Sequence, residues 1–223
     1  MKNQWPWKVI ISALIINVLI GVAYAWSIIS KTLTMEMGWT NMQASIPYSV
    51  NQVFYAVGMI AGGVLINRIG CSKTVVVAGI LFAVGMVGSG FAHNSVLMSL
   101  FYGVLIGPAI SLAYLSVLTA GIRWIPAHKR GLISGLCTSA YAFTSIYLSP
   151  VLNWLINSYS LAVSFFVQAA VIAPVLFICS HFMKDPPKDY NALDHFEPPT
   201  VDPNAKVRGR EYNWKQMIKT GAF

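Results

Sequence analysis

A chain of 223 residues that is 56% hydrophobic and only 10% charged lacks the polar surface of a soluble domain, where roughly 25% charged residues is usual. Its net charge of +8 would suit nucleic acid only if the basic residues gathered on one soluble face. Instead, Met37 to Met183 contains no Asp or Glu and only Arg68, Lys73, Arg123, Lys129 and Arg130 as cations. The class is integral membrane protein: the bilayer is a partner and nucleic acid is not.

A helix needs about 20 apolar residues to cross the hydrocarbon core. Six segments meet that length: Trp7–Ile29, Ile46–Ile66, Thr74–Ala92, Val96–Ile122, Leu132–Ile156 and Leu161–Met183. The first follows a basic start, but at about 22 apolar residues it exceeds a signal-peptide core and has no small-residue cleavage site. The connections are short, so neighbouring helices run antiparallel. Lys2, Lys8, Arg68, Lys73, Arg123, Lys129, Arg130, Lys184 and Lys188 then share one side, against Lys31 alone on the other. By the positive-inside rule both termini are cytoplasmic, in an inner or plasma membrane. Residues 1–183 read as a six-helix bundle and 184–223 as a cytoplasmic linker. Pro186, Pro187, Pro198, Pro199 and Pro203 keep the linker extended, and a basic, aromatic stretch over Lys206–Lys219 suits the headgroup layer.

No spanning segment has an ionisable residue near its middle, which argues against a proton or sodium pump built from this chain alone. The uncharged polar residues fall on helical faces: Asn17, Gly21 and Tyr24; Tyr48, Gln52, Tyr55 and Met59; Gly107, Ser111 and Tyr114; Thr138, Tyr141 and Ser145. Polar side chains are costly against lipid, so these faces point to a cavity or a partner helix. Pairs four apart, Gly58–Gly62, Gly103–Gly107 and Gly131–Gly135, predict close helix packing. Pro47, Pro108, Pro150 and Pro174 predict kinks or helix ends. His93, His128, His181 and His195 have no Cys, Asp or Glu at metal or triad spacing, and Cys71, Cys137 and Cys179 are scattered. No phosphate-binding glycine loop is present. The expectation is no metal, no cofactor and no enzyme.

Two loops carry a resemblance. Gly63, Asn67, Arg68, Gly70 and Lys73 resemble the signature loop of the major facilitator superfamily, with Asn67 in place of its usual aspartate. Arg123–Gly131, in which Arg123, Trp124, Pro126, Lys129, Arg130 and Gly131 stand out, resembles the loop between helices four and five of the oxalate/formate antiporter group and its monocarboxylate transporter relatives. Ala23–Ile28, Tyr102–Tyr114 and the Trp214–Phe223 end are similar to that group too.

The resemblance implies an all-α membrane fold that is one half of a twelve-helix carrier, lacking its C-terminal six helices, with a substrate site between halves. It implies transport of a small carboxylate such as oxalate or formate, with Tyr24, Tyr114 and Tyr141, then Gln52 and Tyr55, on the cavity wall. Two other readings stay open: a homodimeric six-helix carrier for a neutral solute, and a non-transporting scaffold or relic. In the family the signature acid helps close the cytoplasmic side, and Asn67 offers only a weaker neutral hydrogen bond. Asn67→Asp is expected to favour the outward-facing state in a reassembled carrier. Unchanged cytoplasmic accessibility to a thiol reagent would contradict that.

Overall fold

The computed structural model describes residues 6–183 together with 185 and 186. The linker after Pro186 and its basic lead-in lie outside the described residues. Six helical spans are long and apolar enough to cross a bilayer: Trp7–Glu36, Asn41–Ile69, Cys71–Gly90, Ser95–Arg123, Ala127–Ser158 and Leu161–Ser180. All six expected segments are therefore present, and the protein is a multi-pass integral membrane protein. The first, second and fifth spans run beyond the apolar runs by about one or two turns. Thr40 starts the second span about one and a half turns early, because its side chain and that of Gln43 form a reciprocal capping box.

The spans pack third on sixth, second on fourth, third on fourth, and first on fifth. Turns at 37–40, 70, 91–94, 124–126 and 159–160 join them. At the turn after the second span, Gly70 has φ +85°, a left-handed conformation that a side chain would strain. That backbone is what reverses the chain inside the signature loop.

The second and fourth spans cross closely because glycine removes the bulk between them. A Cβ at Gly107 would lie 2.6 Å from the Asn51 carbonyl oxygen, and one at Gly58 would lie 2.8 Å from the Pro108 Cα. Asn51 Nδ2 crosses the same interface to the Tyr102 carbonyl at 2.9 Å. Two of the three glycine pairs thus sit at this crossing. The third does not: nothing lies within 4 Å of a Cβ built at Gly131 or Gly135. The expectation of packing at Gly131–Gly135 is corrected for this chain, because that face of the fifth span meets none of the other described helices.

Two spans depart from the α-helix. The first tightens to a 3-10 turn at Gly21–Ala25, between α-helical Pro6–Ile20 and Trp26–Glu36. A side chain at Gly21 would collide with Thr144 and the Tyr141 carbonyl. Just before that turn, Thr144 Oγ1 and Tyr147 OH both donate to the Val18 carbonyl, at 2.6 and 2.7 Å. The fourth span widens to a π-helix at Ser99–Ile106, directly before Pro108, whose ring clashes with the carbonyl four residues back. Pro47 leaves the Gln43 carbonyl without its helical donor, and Ser95 Oγ fills that place at 2.8 Å.

Gly107→Ala should therefore force the second and fourth spans apart, costing about 1–3 kcal/mol as an overpacked contact. Gly131→Ala and Gly135→Ala should stay within about 0.5 kcal/mol of the parent, as open-surface changes do. Thermal unfolding in one detergent checks both.

Candidate functional site

The polar faces of the first and fourth spans divide into a packed half and an open half, whereas those of the second and fifth contain no buried member. On the first span Asn17 and Gly21 are buried, whereas Tyr24 is 53% exposed. On the fourth, Gly107 and Ser111 are buried against the second span and Tyr114 is half-buried. The open halves meet. Tyr141 of the fifth span lies edge-on to Tyr24, centroids 5.3 Å apart, and tilted against Tyr114 at 5.4 Å. Tyr55 of the second span is within electrostatic reach of Tyr114, Tyr24 and Tyr141. Three candidate tyrosines from three spans thus form one ring cluster, with Tyr141 at its centre and Tyr55 nearby.

The hydrogen bonds indicate what this cluster can do. Thr138 Oγ1 donates to the Ser134 carbonyl at 2.9 Å, so the 3.2 Å contact with Tyr114 is a bond that the Tyr114 hydroxyl donates. Gln52 Nε2 donates to the Tyr48 hydroxyl at 3.0 Å, and this leaves the Tyr48 proton free for another acceptor. Among the described residues, no protein acceptor takes a bond from Tyr24, Tyr55 or Tyr141. Beside them a cleft of about 340 Å³ opens between the first and second spans, lined by Tyr24, Ser27, Ser30, Ser45, Tyr48 and Ser49 among others. The surface is uncharged, and Tyr24, Tyr48, Ser27 and Ser30 are its free hydroxyl donors, Ser45 and Ser49 being committed to backbone carbonyls. It can orient a carboxylate, but it supplies no positive charge to offset one.

Beneath this surface, two aromatic residues missing from the expected set hold it in place. Trp26 and Tyr102 are buried with ring centroids 4.4 Å apart, and Trp26 also stacks on Tyr48 at 6.2 Å. Trp26 Nε1 donates to the Ala44 carbonyl at 3.2 Å, fastening the first span to the second. The sequence carried a signal for both, a Trp two residues after Tyr24 and a Tyr one residue before Gly103. It did not say which face they occupy. Among the described residues, no group of three His, Cys, Asp or Glu could hold a metal ion.

The loop residues gather at the basic end. Asn67, Arg68 and Lys73 are exposed, Gly63 has open space beside it, and Gly70 makes the turn. Arg123 closes the fourth span, Trp124 and Pro126 are buried in the turn, and Lys129, Arg130 and Gly131 enter the fifth span. The contact that joins the two loops comes from outside both. Asp185, just beyond the sixth span, accepts from Arg123 Nη1 at 2.6 Å and from the Cys71 thiol at 3.6 Å. Its second oxygen lies 3.4 Å from where a Gly70 Cβ would stand. Asp185 is the first acid in the sequence after Glu36, and that isolation was the available signal. The third, fourth and sixth spans are thereby tied at one end, helped by Ser72 Oγ donating to the Ser180 carbonyl at 2.7 Å.

The chain is thus a six-helix membrane bundle with a polar, open face on four of its spans and basic turns at one end. Residues 10–223 match the profile of the Major Facilitator Superfamily, and the chain belongs to that family. It is 25% identical over 182 residues to an uncharacterized MFS-type transporter, YhjX, of Escherichia coli strain K12, covering 82% of this chain and 45% of that protein. It is 25% identical to monocarboxylate transporter 14 of Homo sapiens, covering 99% of this chain and 42% of the other. With the oxalate:formate antiporter of Oxalobacter formigenes it shares 20% identity, covering 100% of this chain and 50% of that one. The fold is similar to the inward open conformation of the xylose transporter XylE from E. coli, with TM-score 0.69, 17% identity and coverage of 82% and 49%. The chain spans about half the length of these proteins, or less.

The Arg123–Asp185 pair is more than one-third exposed on each side, where solvent screens it, so Asp185→Asn should lower stability by no more than about 1 kcal/mol. Thermal unfolding of the variant checks this.

Proposed function

We propose that this chain is the N-terminal half of a carrier for a small organic anion and works by alternating access against a second six-helix half. The observation that carries the reading is the Tyr24–Tyr141–Tyr114 cluster, which brings the free Tyr24 and Tyr141 hydroxyls from separate spans onto one open surface with the Tyr114 ring beside them. Tyr55 and Gln52 extend that wall. Such donors suit a carboxylate, and relatives named for monocarboxylates and for oxalate and formate support the class. The second and fifth spans are the least buried of the six, and Gly131 and Gly135 stand open on the fifth. Both features suit a further bundle closing over this face. The cation that would neutralise the substrate then comes from the other half, since the wall contains none. Transport needs no chemical step, so the Tyr hydroxyls bind and release without forming a covalent bond. With both termini cytoplasmic, the signature loop and the Arg123–Gly131 loop lie at the inner mouth, in the cell's inner or plasma membrane.

The test is uptake of labelled oxalate, formate or lactate into proteoliposomes holding this chain together with a C-terminal half from the same group. Uptake by the pair and none by either part alone is the expected result. Tyr141→Phe keeps the ring and removes one donor. It should raise KM about tenfold or more, the scale of about 1.5 kcal/mol for a bond to a charged group. Absence of carboxylate uptake by the assembled halves would overturn the anion assignment.

A further inference from the structure

A second cleft lies toward the opposite end of the bundle from the basic turns, between the first and fifth spans, with a volume of about 580 Å³. Lys31, Ser27, Thr32 and Glu36 line it from the first span, and Asn153 and Asn157 face them from the fifth. Lys31 is the one cation in the described spans and turns that lies away from the basic end. Neither Lys31 nor Glu36 has an ion-pair partner among the described residues. Thr32 Oγ1 is committed as a donor to the Ile28 carbonyl at 3.0 Å, which leaves the ammonium, the two amides and the Ser27 hydroxyl as the cleft's free donors. Asn153 and Asn157 are one helical turn apart and so present their amides on one side of the fifth span.

We propose that this cleft is a docking site for a single carboxylate, distinct from the tyrosine wall and selective for monoanions. The Lys31 ammonium meets the carboxylate charge, and the Asn153 and Asn157 amides donate to its oxygens. Ile28, Met35 and Ile156 enclose the apolar remainder of the ligand. Glu36 sets the selectivity. It stands five residues from Lys31, about 7.5 Å along a helix, so a second carboxylate on the ligand meets a like charge in the same cleft. Dicarboxylates are disfavoured there, whereas one carboxylate satisfies Lys31 without approaching Glu36. Ser27 lines this cleft and also the one that holds Tyr24, so the two are neighbours along the first span. The inference rests on the carboxylate class proposed above and adds where such a ligand first docks and which charge number it favours.

The three native thiols are buried, so an introduced cysteine reports without their interference. Met35→Cys, at a position 73% exposed on the cleft wall, is labelled with a water-soluble maleimide in the full chain held in lipid nanodiscs. Acetate should slow that labelling severalfold, acetamide should not, and oxalate should protect less than acetate. Adding Lys31→Ala should abolish protection and Lys31→Arg should keep it. Adding Glu36→Gln should bring oxalate up to the level of acetate. Asn157→Cys, which removes one of the two amides, should show weaker slowing by acetate, and Val96→Cys, 78% exposed away from the cleft, should show none. Adding Tyr141→Phe should leave protection at Met35→Cys unchanged, which separates this site from the tyrosine wall. Failure of transport by the assembled halves would leave the protection pattern in place. No protection by acetate at Met35→Cys, or protection that survives Lys31→Ala, would overturn the proposal.

Discussion

Hydrocarbon offers no hydrogen bonds, and that constraint orders this molecule more than any single contact does. Each polar group in a span must find a partner within the protein or face water. The chain meets most of the demand in two ways, although the Asn17 side chain, Asn51 Oδ1, the Tyr102 hydroxyl and Ser116 Oγ are buried without a hydrogen-bond partner among the described residues. Asn51 Nδ2, Thr144 Oγ1 and Ser95 Oγ donate to carbonyls of neighbouring spans. Tyr24, Tyr55 and Tyr141 are not spent in this way, and they come together on one face. A surface that would be costly against lipid is economical only against water, substrate or another protein bundle.

The departures from ideal helix serve that division. Tightening at Gly21–Ala25 directly precedes Trp26 and contains Tyr24, so one turn sets both the buried anchor and the open ring. Widening at Ser99–Ile106 contains Tyr102, on which Trp26 packs. Gly107 and Gly58 let the second and fourth spans approach closely enough for Asn51 to reach the Tyr102 carbonyl. Packing beneath the open face and polarity on it are two results of the same close crossing. At the basic end Asp185 ties Arg123 to the start of the third span, where the signature loop has Asn67 instead of an acid. The carboxylate is thus present near this turn, although it arrives from more than a hundred residues further along the sequence.

Much of the fold was legible in the sequence because membrane crossing depends on length and apolarity, which are local properties. The six spans follow from apolar length, and the glycine crossing and the tyrosine faces from spacing of three and four. Spacing could not show where a face changes from packed to open, since Asn17 and Tyr24 share a face and differ in surroundings. It also could not separate Gly131–Gly135 from the two glycine pairs that do pack, because the same four-residue interval suits a neighbour in this chain or outside it. Trp26, Tyr102 and Asp185 were hidden for a related reason: their roles depend on residues distant in sequence. The Lys31 cleft likewise needs Asn153 and Asn157, over a hundred positions away, to become a site.

The central claim is that the open tyrosine face is wet within the membrane. Hydroxyl-radical footprinting of the chain in lipid nanodiscs tests it directly, by comparing oxidation of Tyr24, Tyr55, Tyr114 and Tyr141 with that of Phe177, which is 39% exposed on the sixth span. The account predicts oxidation of the four tyrosines at rates typical of water-exposed side chains, with Phe177 protected by lipid. Tyrosines as protected as Phe177 would contradict it and leave the cluster as a lipid-facing packing device.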